Sequence, residues 1–196
     1  MKRAKKALLL ALCALLLVGA SIMGTLAYLT SQATVTNTFT VGNVAITMDE
    51  SPVDEYGNVV SGDRRTTNSY KLIPGHNYTK DPVVHVTQNS ESCYVFVKIT
   101  NNIASYIDVT KLEAELVANG WQKLNENGVW WKLSEKGDTD RELEVFQSFT
   151  VLSNADSKTG WDGLNATIDI VAYAIQKDTM GDAPDAWAKL TAQLNH

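Results

Sequence analysis

The segment spanning residues 2–41 constrains this chain more than any other. It opens with four positive charges, Lys2, Arg3, Lys5 and Lys6. An uninterrupted apolar run follows over 7–18, then small residues at Gly19, Ala20, Ser21, Gly24, Thr25 and Ala27. A basic start, an apolar stretch of about a dozen residues and a small-residue exit form the pattern of a secretory signal peptide. After Ala27 the character changes. Thr34, Thr36, Thr38 and Thr40 alternate with Ala33, Val35, Asn37, Phe39 and Val41. A period of two is a strand period, and Thr, Val and Phe suit a pleated surface. The pattern predicts a leader over 1–27 and a mature chain that begins almost at once with a β-strand.

An uncleaved membrane anchor is the alternative. No charge interrupts residues 7–29, a length that can span a bilayer. Against it, Gly19, Ser21, Gly24 and Thr25 thin the hydrophobicity, and no positive cluster follows as a stop-transfer signal.

Cleavage leaves about 170 of the 196 residues, enough for one domain (28–196) with a real core. The four leader charges are all basic, so 13 basic and 22 acidic residues remain, a net charge of −9. That balance excludes an electrostatic footprint for nucleic acid or an anionic membrane face. Cys13 lies in the apolar run and is lost with it. Cys93 is then alone, in the strand-like stretch 92–98, where a buried, unreactive thiol is the simplest reading. The sharper readings are an intermolecular disulfide or a nucleophile, and no base partner is evident for the latter.

Strand patterns occur at 43–49, 82–87, 93–100, 142–152 and 165–176, the last turning wholly apolar as a central strand does. Residues 50–71 are polar and rich in turn formers, and Asp63, Arg64 and Arg65 read as a solvated loop tip. Asn127–Gly128 predicts a hairpin within 121–133. A helix is predicted over 108–120, capped by Asp108 or Thr110 and closed by Gly120. A second is predicted over 183–194, with Pro184 in its first turn and Trp187, Leu190 and Leu194 on one face. About eight strands and two short helices without a βαβ rhythm predict a mainly β fold: an antiparallel sandwich of jelly-roll or immunoglobulin-like kind.

The candidate chemistry is sparse. A zincin needs His-Glu-x-x-His on a helix, whereas the three histidines here are His76, His85 and His196. Asp49, Glu50, Asp54 and Glu55, and separately Asp138, Asp140 and Glu142, offer oxygens for calcium but match no EF-hand loop. A solvated acidic face is the simpler reading. The five tryptophans (Trp121, Trp130, Trp131, Trp161, Trp187) are either core anchors or a carbohydrate platform. Trp130 and Trp131 are adjacent on a predicted strand and must point to opposite faces, which predicts one of them outward. No cofactor or metal is implied.

Residues 23–31 (Met-Gly-Thr-Leu-Ala-Tyr-Leu-Thr-Ser) followed by 38–47 (Thr-Phe-Thr-Val-Gly-Asn-Val-Ala-Ile-Thr) resemble the N-terminus of the camelysin/TasA family of exported Gram-positive proteins. Residues 72–100 are similar to that family's Pro-Gly, Lys-Asp-Pro, Val-x-Val and Tyr-Val-x-Val-Lys pattern. Residues 172–176 followed by Ala186 and Trp187 resemble its C-terminal signature. The resemblance implies cleavage by an ER-type signal peptidase after Ala27. Thr25 and Ala27 would then occupy the −3 and −1 positions, and Tyr28 would be the new N-terminus. It also implies a secreted structural protein of a biofilm matrix or cell surface, forming homo-oligomeric fibres, with other matrix proteins as further partners. In TasA-type members the mature N-terminal segment is a donor strand for the next subunit. Here that is 28–41, carried by Val35, Asn37, Phe39 and Val41. The same strand pairing within its own subunit is the other reading. Some family members are classed as metalloproteases, which leaves a camelysin-like protease and a carbohydrate- or protein-binding module as rival functions.

Overall fold

The computed structural model describes residues 30–34, 37–38, 44–124, 128–161, 165–178 and 180–194. The predicted leader, with Thr25, Ala27 and Tyr28, lies outside the described residues, as do Val35, Phe39 and Val41. Among the described residues no helix is long and apolar enough to cross a membrane.

Among the described residues the fold is mainly β, with antiparallel strands and two α-helices. Two nine-residue strands, β6 (Cys93–Asn101) and β11 (Ile168–Gln176), form its centre. They pair along their whole length, from Ile168↔Asn101 to Gln176↔Cys93. β6 also pairs with β8 (Val129–Ser134), which in turn pairs with the two-residue β7 (Gln122–Lys123). On the other flank, β11 pairs with β1 (Thr30–Thr34), and β1 pairs with β2 (Asn37–Thr38). The result is a six-stranded sheet in the order β2-β1-β11-β6-β8-β7. Two smaller sheets complete the set. One joins β3 (Ile46–Asp49), β5 (Val83–Val86) and β9 (Glu142–Glu144). The other joins β4 (Asn77–Thr79) and β10 (Ser148–Thr150).

Strand alternation divides the large sheet into two apolar faces. Val95, Val97, Ala172, Ala174 and Trp130 enter one core cluster together with Ile46, Val84 and Leu143 of the three-stranded sheet. Tyr94, Phe96 and Ile175 enter a second cluster on the opposite face, beneath Ala186, Trp187 and Leu190 of helix α2 (Ala183–Leu194). Full burial of a Val, Leu, Ile or Phe side chain stabilises the fold by about 1.5–3 kcal/mol. Trp130 and Trp131 do point to opposite faces. Neither is outward: Trp130 is buried in the first cluster and Trp131 packs half-buried against the second. A C-terminal helix covering the second face is the reason.

Helix α1 spans Val109–Ala118. Asp108 caps it by accepting from the Lys111 N–H at 3.0 Å, and Gly120 follows at φ +82°. The helix also breaks the long strand predicted over 142–152. Glu115 accepts the backbone N–H groups of Gln147 (2.8 Å) and Ser148 (3.1 Å), and Trp121 donates its indole N–H to the Glu144 carbonyl at 2.7 Å. Residues 142–144 and 148–150 therefore pair in different sheets. In helix α2, Trp187 and Leu190 of the predicted apolar face are buried, and Leu194 is exposed.

Candidate functional site: the β11 flank and the adjoining cleft

β11 is rich in Ile, Val and Ala, residues that pack on both faces of a buried sheet. Its β6 side is satisfied throughout. Its other side is closed by the N-terminal segment in antiparallel register, from Thr30↔Ile175 to Thr34↔Val171. This is the pairing within one chain. Asn37 does not continue that ladder. In β2 it pairs antiparallel with Thr34, so residues 30–34 and 37–38 are two strands and not one.

Where the β1 ladder reaches Val171, a cleft of about 730 Å³ opens, and Asn165, Ile168, Asp169 and Val171 line it. Trp161 and Phe149 supply apolar wall; Glu50, Asn68 and Lys80 supply polar groups. Trp161 is half-buried, its ring 5.9 Å from that of Tyr106. Of the five tryptophans it is the one that lines this cleft.

Beside the cleft the predicted solvated loop proves to be tied down. Arg64 donates Nε to Asp49 Oδ1 at 2.5 Å, Nη1 to Ser51 Oγ (2.9 Å) and Asp81 Oδ2 (3.2 Å), and Nη2 to the Asp81 carbonyl at 2.8 Å. Arg65 exchanges both backbone hydrogen bonds with Glu50 at 2.8 Å. The loop tip is thus an exposed anchor, because its guanidinium has five oxygens near the β3 and β5 ends within reach, the Asp49 carbonyl included. The acidic run is a solvated face only in part, with Glu55 exposed and Asp49 and Asp54 half-buried. Glu50 is only 3% exposed and binds Lys80 and Asn68. Asp54 instead accepts the N–H groups of Tyr56 and Asn58 within its own loop, both at 2.9 Å. Burial, followed by the nearby Glu50 and Asp81 carboxylates, pushes the Tyr70 phenol well above its ordinary range.

Family models, curated proteins and solved structures yield no match to this chain. Among the described residues no three His, Cys, Asp or Glu side chains stand together as a metal could require. His76 Nε2 lies 2.9 Å from the Tyr56 carbonyl, and His196 is outside the described residues. His85 Nε2 lies 3.0 Å from Asp49 Oδ1. Asp138 and Asp140 each accept a nearby backbone N–H, those of Glu135 and Glu142.

Cys93 is fully buried in β6, and burial pushes its thiol up to about 12 although Arg141 works against the shift. A thiol so seldom ionised is a poor nucleophile. Arg141 itself escaped the sequence reading. It is 2% exposed and donates to Ser134 Oγ (3.0 Å) and to the carbonyls of Thr87 (3.2 Å), Ser90 (2.7 Å) and Glu91 (3.2 Å). It holds the turn between β5 and β6. An arginine inside a run of acidic residues was the available signal, but its partners are carbonyls, which a sequence does not distinguish.

Proposed function

We propose that this chain is an exported structural protein, a subunit of extracellular matrix or surface fibres assembled by exchange of its N-terminal strand. In this reading the strand layers form an antiparallel β-sandwich of jelly-roll or immunoglobulin-like kind. The observation that supports it is the seating of β1 on β11. A strand that directly follows the predicted leader closes the flank of the central apolar strand, with the register Thr30↔Ile175 to Thr34↔Val171.

A flank closed by a terminal segment is exchangeable. If β1 leaves, β11 presents an unpaired row of N–H and C=O groups, and the same segment of another copy satisfies them by strand addition. Such head-to-tail addition does not close on itself and builds filaments. Signal peptidase is the partner that starts the process. Until it cuts after Ala27, the strand is tethered to the leader, and cleavage gates assembly. Other matrix proteins are candidate partners at filament ends.

The test compares protein beginning at Tyr28 with protein lacking residues 28–41, by electron microscopy across salt and pH. Filaments are expected from the first alone. If both stay monomeric throughout, or both polymerise alike, strand exchange is wrong.

A further inference from the structure

We infer that Lys80 and Asn68 become joined by an intramolecular amide bond, with Glu50 as the proton carrier. The inference stands on the cleft geometry and is independent of strand exchange.

Two groups from separate segments meet at one carboxylate, which belongs to a third. Glu50 directly follows β3 and Lys80 directly follows β4, while Asn68 belongs to the long excursion between those strands. Glu50 Oε2 accepts from Lys80 Nζ at 2.8 Å, and Glu50 Oε1 accepts from Asn68 Nδ2 at 3.0 Å. The amine and the carboxamide nitrogen therefore sit on the two oxygens of a single acid. Asn68 is oriented further, because its Nδ2 donates to the Ser51 carbonyl at 2.8 Å and its Oδ1 accepts the Val53 N–H at 3.0 Å. Side-chain exposure is 5% for Glu50 and 12% for Lys80. Met48, Tyr70, Pro82 and Phe149 line the same cleft.

Amide exchange at a carboxamide needs a free amine, a stabilised oxyanion and a protonated leaving nitrogen, and each requirement has a group in place. Glu50 takes a proton from the Lys80 ammonium. The freed Nζ lone pair forms the N–C bond to Asn68 Cγ, and the carbonyl electrons move to Oδ1, where the Val53 N–H stabilises them. The proton on Glu50 passes to Nδ2, and the C–Nδ2 bond breaks as the carbonyl reforms. The leaving ammonia takes a second proton from Nζ through the same carboxylate. One ammonium and one carboxamide thus become one secondary amide and one ammonium ion, with charge conserved and no oxidant, metal or cofactor consumed. Holding the reactants in place is what makes so sluggish a reaction feasible. The cleft gives the ammonium ion a way out.

The product would staple the excursion over 53–70 to the entrance of β5, where Arg64 and the Glu50–Arg65 bridge already hold it non-covalently.

The full chain should have an intact mass one ammonia lighter than calculated for its N-terminus, and a digest should yield peptides joined through Lys80 and Asn68. Glu50→Gln and Lys80→Arg should each restore the full calculated mass; Lys80→Arg keeps the charge opposite Glu50 and so guards against a folding defect, checked by circular dichroism. Asn68→Asp should lose a water in place of ammonia. A wild-type mass equal to the calculated one overturns the inference. So does an ammonia loss that survives Lys80→Arg. A succinimide at Asn68–Ser69 carries the same mass loss, but it opens in mild alkali with gain of water and leaves the peptides unjoined; that result also overturns it.

Discussion

The two flanks of the six-stranded sheet are closed in different ways. At one end β7 pairs with β8, the next strand in the chain, with Gln122 opposite Trp131 and Lys123 opposite Trp130. At the other end β1 pairs with β11, and Thr30 lies opposite Ile175, most of the chain away. Both outermost strands, β2 and β7, are only two residues long. Short edges are one way to avoid unwanted pairing. The resemblance ends there. Removing β7 from β8 means opening a hairpin and forfeiting local contacts that no other chain replaces easily. Removing β1 from β11 breaks one ladder that an identical segment restores residue for residue. The penalty for closing a long loop within one chain grows only slowly with its length. The proposed intermolecular pairing at β11 would therefore differ little in contacts from the pairing within one chain, and mainly in effective concentration.

The largest expected effect comes from locking β1 in place. Ser31 and Ala174 are directly opposed in the register. Opposed residues of an antiparallel pair have Cα atoms about 4.5–5.5 Å apart, within the roughly 4.4–6.8 Å that a disulfide spans. Protein beginning at Tyr28 and carrying Ser31→Cys with Ala174→Cys should form no filaments when oxidised and regain them on reduction, as read by sedimentation and microscopy. Equal polymerisation in both redox states would show that the β1–β11 ladder is not what is exchanged.

The opposite flank is tested at Gly128. It has φ +75°, and a Cβ there would lie 2.3 Å from the Ile99 carbonyl oxygen. Both the left-handed backbone and the contact resist any side chain. Gly128→Ala should destabilise the fold by on the order of 3 kcal/mol, seen as a lower urea midpoint. The fraction that remains folded should assemble as before. Loss of filaments at unchanged stability would mean that the two flanks are coupled.

These flanks also show what a sequence carries and what it omits. Alternation placed the strand cores of β6 and β11, and caps placed both ends of α1, because those signals are local: Asp108 reaches only to Lys111, and Gly120 needs only its own φ. The same alternation marked residues 30–34 as strand-forming, but nothing in it names β11 as the partner. Partner choice is set by contacts across more than a hundred residues. The break in 142–152 was hidden for a related reason, since Glu115 and Trp121 reach it from elsewhere. Buried charges were the least legible. Glu50 and Arg141 look like surface residues in polar runs, and become core groups only when Lys80, Asn68 and the carbonyls near Ser90 arrive from distant segments.

The smallest effect separates the flank from the three-stranded sheet by pH. The β1–β11 ladder joins residues 30–34 to 171–175, none of them acidic or histidine, so nothing in it titrates between about pH 3 and pH 8. Asp49, at the end of β3, is different. Burial works against its charge, but hydrogen bonds from Arg64 and His85 outweigh burial and hold the carboxyl below the usual carboxylate range. A folded value below the unfolded one gives stability that is fully present above the unfolded pKa of about 3.9, and lost as pH falls through the folded value. The carboxylate is 29% exposed and its Arg64 partner 34%, so the contribution is under about 1 kcal/mol after screening. Asp49→Asn should lower the urea midpoint slightly at pH 7, and the two proteins should converge as the pH drops towards 2. Over the same range, the protection of residues 30–34 against hydrogen exchange, taken relative to the intrinsic chemical rate, should stay constant, because acid loosens the loop at Arg64 and leaves β1 seated. Stability curves that stay parallel down to pH 2 would remove Asp49 as the acid-sensitive group, and early loss of protection in β1 would place that sensitivity at the flank instead.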